Sequence, residues 1–169
     1  STFHYAQTKT YSLSHDKAWV LLYSLSKFVP GDSLDANTGL NTKRLILLNN
    51  LLPWDNKNVG PIWDVDQVSP DSYEYRSKYL YLLAADRTEV DRVFNETEVV
   101  AIDRSKWFTA FSPTTYYLGL REGDNLGVRV FIEHVARYPG LYFESAIRRS
   151  FFFFKEGWFR AWFPLVSDL

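Results

Sequence analysis

The chain has 169 residues, of which 46% are hydrophobic and 18% aromatic, and its 19 basic and 20 acidic side chains leave a net charge of −1. Residues 1–169 therefore suit a single domain with a sizeable core, while the balanced charge gives no footprint for nucleic acid and excludes duplex recognition. The absence of cysteine excludes disulfides, thiolate zinc sites and cysteine nucleophiles.

Residues Thr2 to Leu13 alternate, with Phe3, Tyr5, Tyr11 and Leu13 on one side, which predicts a first strand. Ser14 is placed to cap a helix, Asp16 suits its positive end, and Ala18, Leu21, Leu22, Leu25 and Phe28 keep helical spacing until Pro30-Gly31. Gly31 to Thr42 is polar and turn-forming and reads as a loop. Arg44 to Leu52 is a nearly continuous apolar run that periodicity cannot assign; it is read as a strand. A turn over Asp55 to Asn58 and the pair Gly60-Pro61 connect it to strands over Ile62 to Val68 and Tyr73 to Ala84. Asp86 to Asn95 is charged and reads as a loop, and Glu98 to Asp103 as a further strand.

Tyr116 to Arg121 is expected to pair with Gly127 to Tyr138 across the turn Glu122-Gly123-Asp124-Asn125. In the second of these strands Val128, Val130, Ile132, His134, Ala136 and Tyr138 share one face, and Arg129, Glu133 and Arg137 mark the other. After Pro139-Gly140, Leu141 to Phe163 reads as one long helix. Phe143, Ile147, Phe151, Phe154, Trp158, Trp162 and Leu165 fall within about a third of its circumference. A sheet, or a ligand held between helix and sheet, is expected to cover that stripe. The fold class that follows is α+β, with a curved antiparallel sheet gripping a long C-terminal helix. Charges on almost every turn keep that helix from crossing a bilayer.

Two stretches carry a resemblance to a known superfamily. Thr8-Lys-Thr-Tyr-Ser-Leu-Ser-His-Asp-Lys-Ala-Trp-Val-Leu-Leu-Tyr23, and Leu126-Gly-Val-Arg-Val-Phe-Ile-Glu133 running on into Leu141 to Leu169, resemble the opening and the close of the START-like (helix-grip, Bet v 1-like) fold. Lys43-Arg-Leu-Ile-Leu47, Leu52-Pro53, Val59-Gly60-Pro61 and Ser145-Ala-Ile-Arg-Arg149 are similar to sterol-binding VASt (Aster) domains; Lys27-Phe-Val-Pro30 and the alternating opening are similar to coenzyme Q-binding proteins. The resemblance implies a hydrophobic cavity between sheet and C-terminal helix that holds a lipid, sterol, quinone or aromatic polyketide.

The side chains expected to line that cavity are Trp107, Phe111, Tyr117, Val130, Ile132, His134, Phe151, Phe154 and Trp158. His134 lies on the apolar parity of its strand, where it is either a neutral histidine with one hydrogen-bond partner or an anchor for a ligand hydroxyl or a general base. Asp64 and Asp66 share one side of a strand and read as solvated charges. No histidine spacing suits a metal, and no nucleophile elbow, phosphate loop or dinucleotide fingerprint occurs, so neither metal nor cofactor is expected. Four adjacent phenylalanines, Phe151 to Phe154, cannot all face one sheet. Phe153, with Arg149 and Arg160 on its side, is placed to meet a membrane surface.

The leading expectation is a module that holds a hydrophobic small molecule, a lipid or sterol, for transfer or presentation. A second is a cyclase, dehydratase or isomerase of the same shape with His134 as its base; a third is a protein-interaction module with a filled interior. With no methionine and a start at Ser1, the chain reads as a processed form or a piece of a longer protein, cytoplasmic or membrane-peripheral.

Overall fold

The computed structural model of the chain describes residues 17–51, 54–55, 60–61, 80–97, 101–104, 114 and 118–152. Five helices dominate them: α1 (Lys17–Leu25), α2 (Leu40–Leu51), α3 (Arg87–Glu96), α4 (Leu120–Arg137) and α5 (Pro139–Phe152). Residues 80–84 are helical as well. The extended pieces among the described residues are the two-residue pair Trp54–Asp55 against Gly60–Pro61 and one isolated bridge between Ser33 and Asp103.

The expected α+β fold is therefore overturned: no curved antiparallel sheet exists among the described residues, and α5 is gripped by none. The START-like resemblance, including its VASt and coenzyme Q branches, falls with the sheet that defines it. The sterol- and lipid-carrying role that the resemblance implied loses its basis too, because the cavity it required lies between sheet and helix.

The decisive difference is at Gly127 to Tyr138. Read with a period of two, its apolar residues make one strand face; read with a period near four, Leu126, Val130 and His134 make one helix face. Leu126, Val130 and His134 are buried, whereas Ile132, which the strand reading places beside Val130, is 57% exposed. The expected turn at Glu122 to Asn125 is the interior of α4, and its first helical bond runs from the Gly123 N–H to the Gly119 carbonyl at 3.0 Å. Gly119, at φ +89°, supplies the left-handed conformation that starts the helix.

α2 replaces the strand expected at Arg44 to Leu52. Leu45, Ile46, Leu47 and Leu48 are all buried. A helix apolar on every side is stable only when neighbours enclose it, and α2 packs against both α3 and α4. α3 replaces the loop expected at Asp86 to Asn95. The Asp86 carboxylate accepts from the Glu89 N–H at 2.9 Å, and Val90 and Val93 supply its buried stripe. The described part of the strand expected at Tyr73 to Ala84 is helical.

The core joins these helices around α4. α1, whose Ala18, Leu22 and Leu25 are fully buried, makes the most extensive packing on α4. Gly127 permits that approach: a Cβ there would meet the Ala18 Cβ at 2.6 Å. α5 follows α4 after Tyr138, with Pro139 at the first helical position, where a missing N–H costs nothing. Tyr142 seats α5 through edge-to-face contacts with Phe28, at a centroid distance of 5.3 Å, and with Phe131, at 5.8 Å.

Candidate functional site

Two kinds of feature could carry function: a buried polar network on α4 and an outward apolar face on α5. The network begins with two carboxylates. Asp124 accepts from the Ala18 N–H at 3.0 Å in a buried bond. Glu133 accepts four bonds at the start of α2: from the backbone N–H and side-chain amide of Asn41, at 2.8 and 2.7 Å, and from the backbone N–H and hydroxyl of Thr42, both at 2.8 Å. Both carboxylates meet the partial positive charge at a helix N-terminus, so α4 caps α1 and α2 from outside their own sequences. At 100° per residue, positions nine apart lie on opposite sides of a helix. α4 thus holds one helix end on each flank.

Gly39 makes room for this arrangement, since a Cβ there would sit 2.3 Å from the Glu133 carboxyl carbon. Asn41 also accepts from Arg44 at 3.4 Å, and Arg44 in turn donates to the Ala85 carbonyl after residues 80–84. Burial holds the Arg44 guanidinium below its ordinary range, Arg129 adds to the effect, and Glu133 opposes it. These contacts tie the body of α4 to the starts of α1 and α2, and α2 to the Ala85 carbonyl.

His134 is fully buried. Its Nδ1 lies 2.8 Å from the Val130 carbonyl, which can only accept, so Nδ1 carries the proton and donates. Nε2 is buried and finds no hydrogen-bond partner among the described residues. Burial lowers its pKa from the ordinary value of 6.5, against the opposing influence of the Val130 carbonyl, Glu133 and Asp35. A ring with no solvent-accessible edge has no route to a substrate in this conformation.

Of the other side chains expected to line a cavity, Val130 is buried on the His134 face of α4, and Ile132 points outward. Phe151 is 72% exposed. Trp107, Phe111, Tyr117, Phe154 and Trp158 lie outside the described residues, as do Asp64, Asp66 and Phe153. Of the four described, Val130 and His134 share a buried face of α4, whereas Ile132 and Phe151 are exposed. Among the described residues no group of three or more His, Asp or Glu side chains stands close enough to hold a metal ion, and no helix is long and apolar enough to cross a membrane.

The stripe read from the sequence of the last helix does form, over the described turns of α5, but it faces outward. Phe143 is 63% exposed and Ile147 56%. The helix meets the rest of the molecule through half-buried Tyr142, Ser145 and Ala146 instead. Glu144 and Arg148 form an exposed ion pair at 2.6 Å beside the stripe. Between α5 and the chain following α1, a surface groove of about 580 Å3 is lined by residues that include Lys27, Phe28, Leu141, Arg148 and Arg149. Its rim is more basic than acidic.

Sequence reasoning passed over Asp124, Glu133, Asn41 and Arg44. Asp124 looked like a turn residue and Glu133 like the wet side of a strand. Nothing local marks a carboxylate that caps a helix 92 positions away in the chain. Comparison of the chain with protein-family models, with curated proteins and with solved structures found no match.

Proposed function

We propose that the chain is a helical protein-interaction module that works through the outward face of α5. The observation that carries this reading is the run Phe143, Ile147 and Phe151, spaced by four residues and exposed by more than half on a helix already seated by other residues. An isolated exposed apolar side chain needs no explanation; three in line on one helix face form a patch that water covers at a cost. Helix-in-groove contacts draw on one such face through anchors at i, i+3, i+4 and i+7, and a one-sided apolar stripe runs on through i+4 and i+8.

The buried network supports a structural division of labour. Asp124, Glu133 and Arg44 are engaged with helix ends, so α4 serves as the frame on which α5 is displayed. Catalysis by His134 would need the ring to reach solvent, which its complete burial opposes.

The test is site-specific photo-crosslinking in cells, with a benzoylphenylalanine placed in turn at positions 143, 147, 151, 132 and 137. The expected result is protein adducts of defined mass from 143, 147 and 151 and none from 137. Adducts to small molecules alone, or a yield that ignores helical phase, would overturn the reading. Native mass spectrometry with organic extraction covers the rival in which an apolar small molecule is the ligand.

A further inference from the structure

We infer that the occupant of the α5 face is a second copy of this chain, docked antiparallel through the same helix. This rests on the interaction-module reading and adds the identity of the partner. A two-fold contact requires that a surface fit itself, so that each residue meets its counterpart's opposite number. α5 meets that requirement in two ways. With Ile147 next to the two-fold axis, Phe143 of one copy falls opposite Phe151 of the other, and the apolar stripe closes on itself. On the flank of the stripe, Glu144 and Arg148 lie one turn apart and are 54% and 79% exposed. In the antiparallel pair each Glu144 comes within reach of Arg148 from the other copy. An ion pair that is intrahelical in one chain is thereby shared across two.

The stripe leaves roughly 400 Å2 of apolar side chain uncovered per copy, judged from the size of such residues. Two copies together cover about 800 Å2, below the roughly 1,000 Å2 of a stable interface and in the range of weak, transient contacts. A reversible dimer follows, not an obligate one. An anionic membrane surface would engage the two arginines of α5 but not Glu144, whereas a second copy engages charges of both signs.

The experiment is sedimentation velocity on the 169-residue chain from about 1 to 300 µM, the range in which an interface of this size associates. The wild type is expected to pass from monomer to dimer. Glu144→Arg and Arg148→Glu, both at exposed positions and expected to leave the circular dichroism spectrum unchanged, are each expected to weaken the dimer at least about tenfold through like-charge contacts across the axis. An equimolar mixture of the two variants is expected to recover a heterodimer within about threefold of wild type. Ile147→Asp is expected to abolish association.

A chain that stays monomeric throughout the range overturns the inference, as do charge variants that dimerise like wild type. If monomers still give protein crosslinks from positions 143 and 151 at a mass other than twice the chain, the self-association fails while the interaction module stands. If they bind phosphatidylcholine–phosphatidylserine vesicles and crosslink to lipid alone, both fail.

Discussion

Helices α2 and α5 are both rich in large apolar side chains, and they dispose of them in opposite ways. In α2, Leu45, Ile46, Leu47 and Leu48 point in four directions and all are buried, together with Thr42 and Arg44. In α5, Phe143, Ile147 and Phe151 share one direction and all are exposed. The number of sides on which a helix has neighbours decides the outcome, and apolar content does not. α2 lies between α3 and α4 and receives a cap from Glu133. α5 leans on the molecule along Tyr142, Ser145 and Ala146, and among the described residues its far side is exposed.

The comparison breaks most visibly at Leu45. Leu45→Ala should lower stability by about 2–5 kcal/mol, because a fully enclosed site cannot collapse around the lost atoms. Urea unfolding would show it as a lower midpoint at an unchanged slope. A cost below about 1 kcal/mol would mean that α2 is not enclosed. Next in size is Glu133→Ala, expected to cost about 1–3 kcal/mol, since the N–H groups of Asn41 and Thr42 lose their acceptor. A double-mutant cycle with Thr42→Ala should return a favourable coupling; strict additivity would show that the Thr42 hydroxyl contributes nothing to the cap.

These two regions also mark how far the residues alone could be read. α1 was legible because Ala18, Leu22 and Leu25 repeat on a helical period, although it ends at Leu25, before the stop read at Pro30-Gly31. α2 was not, because a helix buried on all sides has the same unbroken apolar run as a buried strand. In α4 the alternation from Val128 to Tyr138 was real but accidental: Leu126, Val130 and His134 satisfy both periods, and the exposed Ile132 and Ala136 tell them apart. α3 was hidden by its charge, although Asp86 followed by Glu89 is the pattern of a capped helix start. The stripe of α5 was legible as a stripe. What covers it was not, since burial depends on elements distant in sequence.

His134 gives a smaller effect that sharpens the view of α4 as a frame. Its folded pKa lies below the ordinary 6.5 because burial disfavours the charged ring. Above 6.5 the ring is neutral in both states, and its contribution to stability is fully present. As the pH falls below 6.5 the unfolded chain takes up a proton that the folded chain refuses, so stability declines until the folded pKa is passed. Urea midpoints between pH 7.5 and 5 should therefore fall for the wild type and fall less for His134→Gln. Equal slopes would place the titration elsewhere.

The smallest effect on folding is expected where the apolar residues are largest in view. Ile147→Asp, on the outward face of α5, should change stability by no more than about 0.5 kcal/mol in dilute solution, against the several kcal/mol predicted for Leu45→Ala. Aspartate is a poorer helix former than isoleucine by only a few tenths of a kcal/mol, and Ile147 is 56% exposed. Thermal unfolding at about 1 µM protein keeps any association through this face out of the measurement. Should Ile147→Asp cost as much as Leu45→Ala under those conditions, the stripe would be part of the monomer's own core, and the contrast between α2 and α5 would be one of degree. A near-silent substitution instead separates what the chain needs to fold from what it offers to a partner.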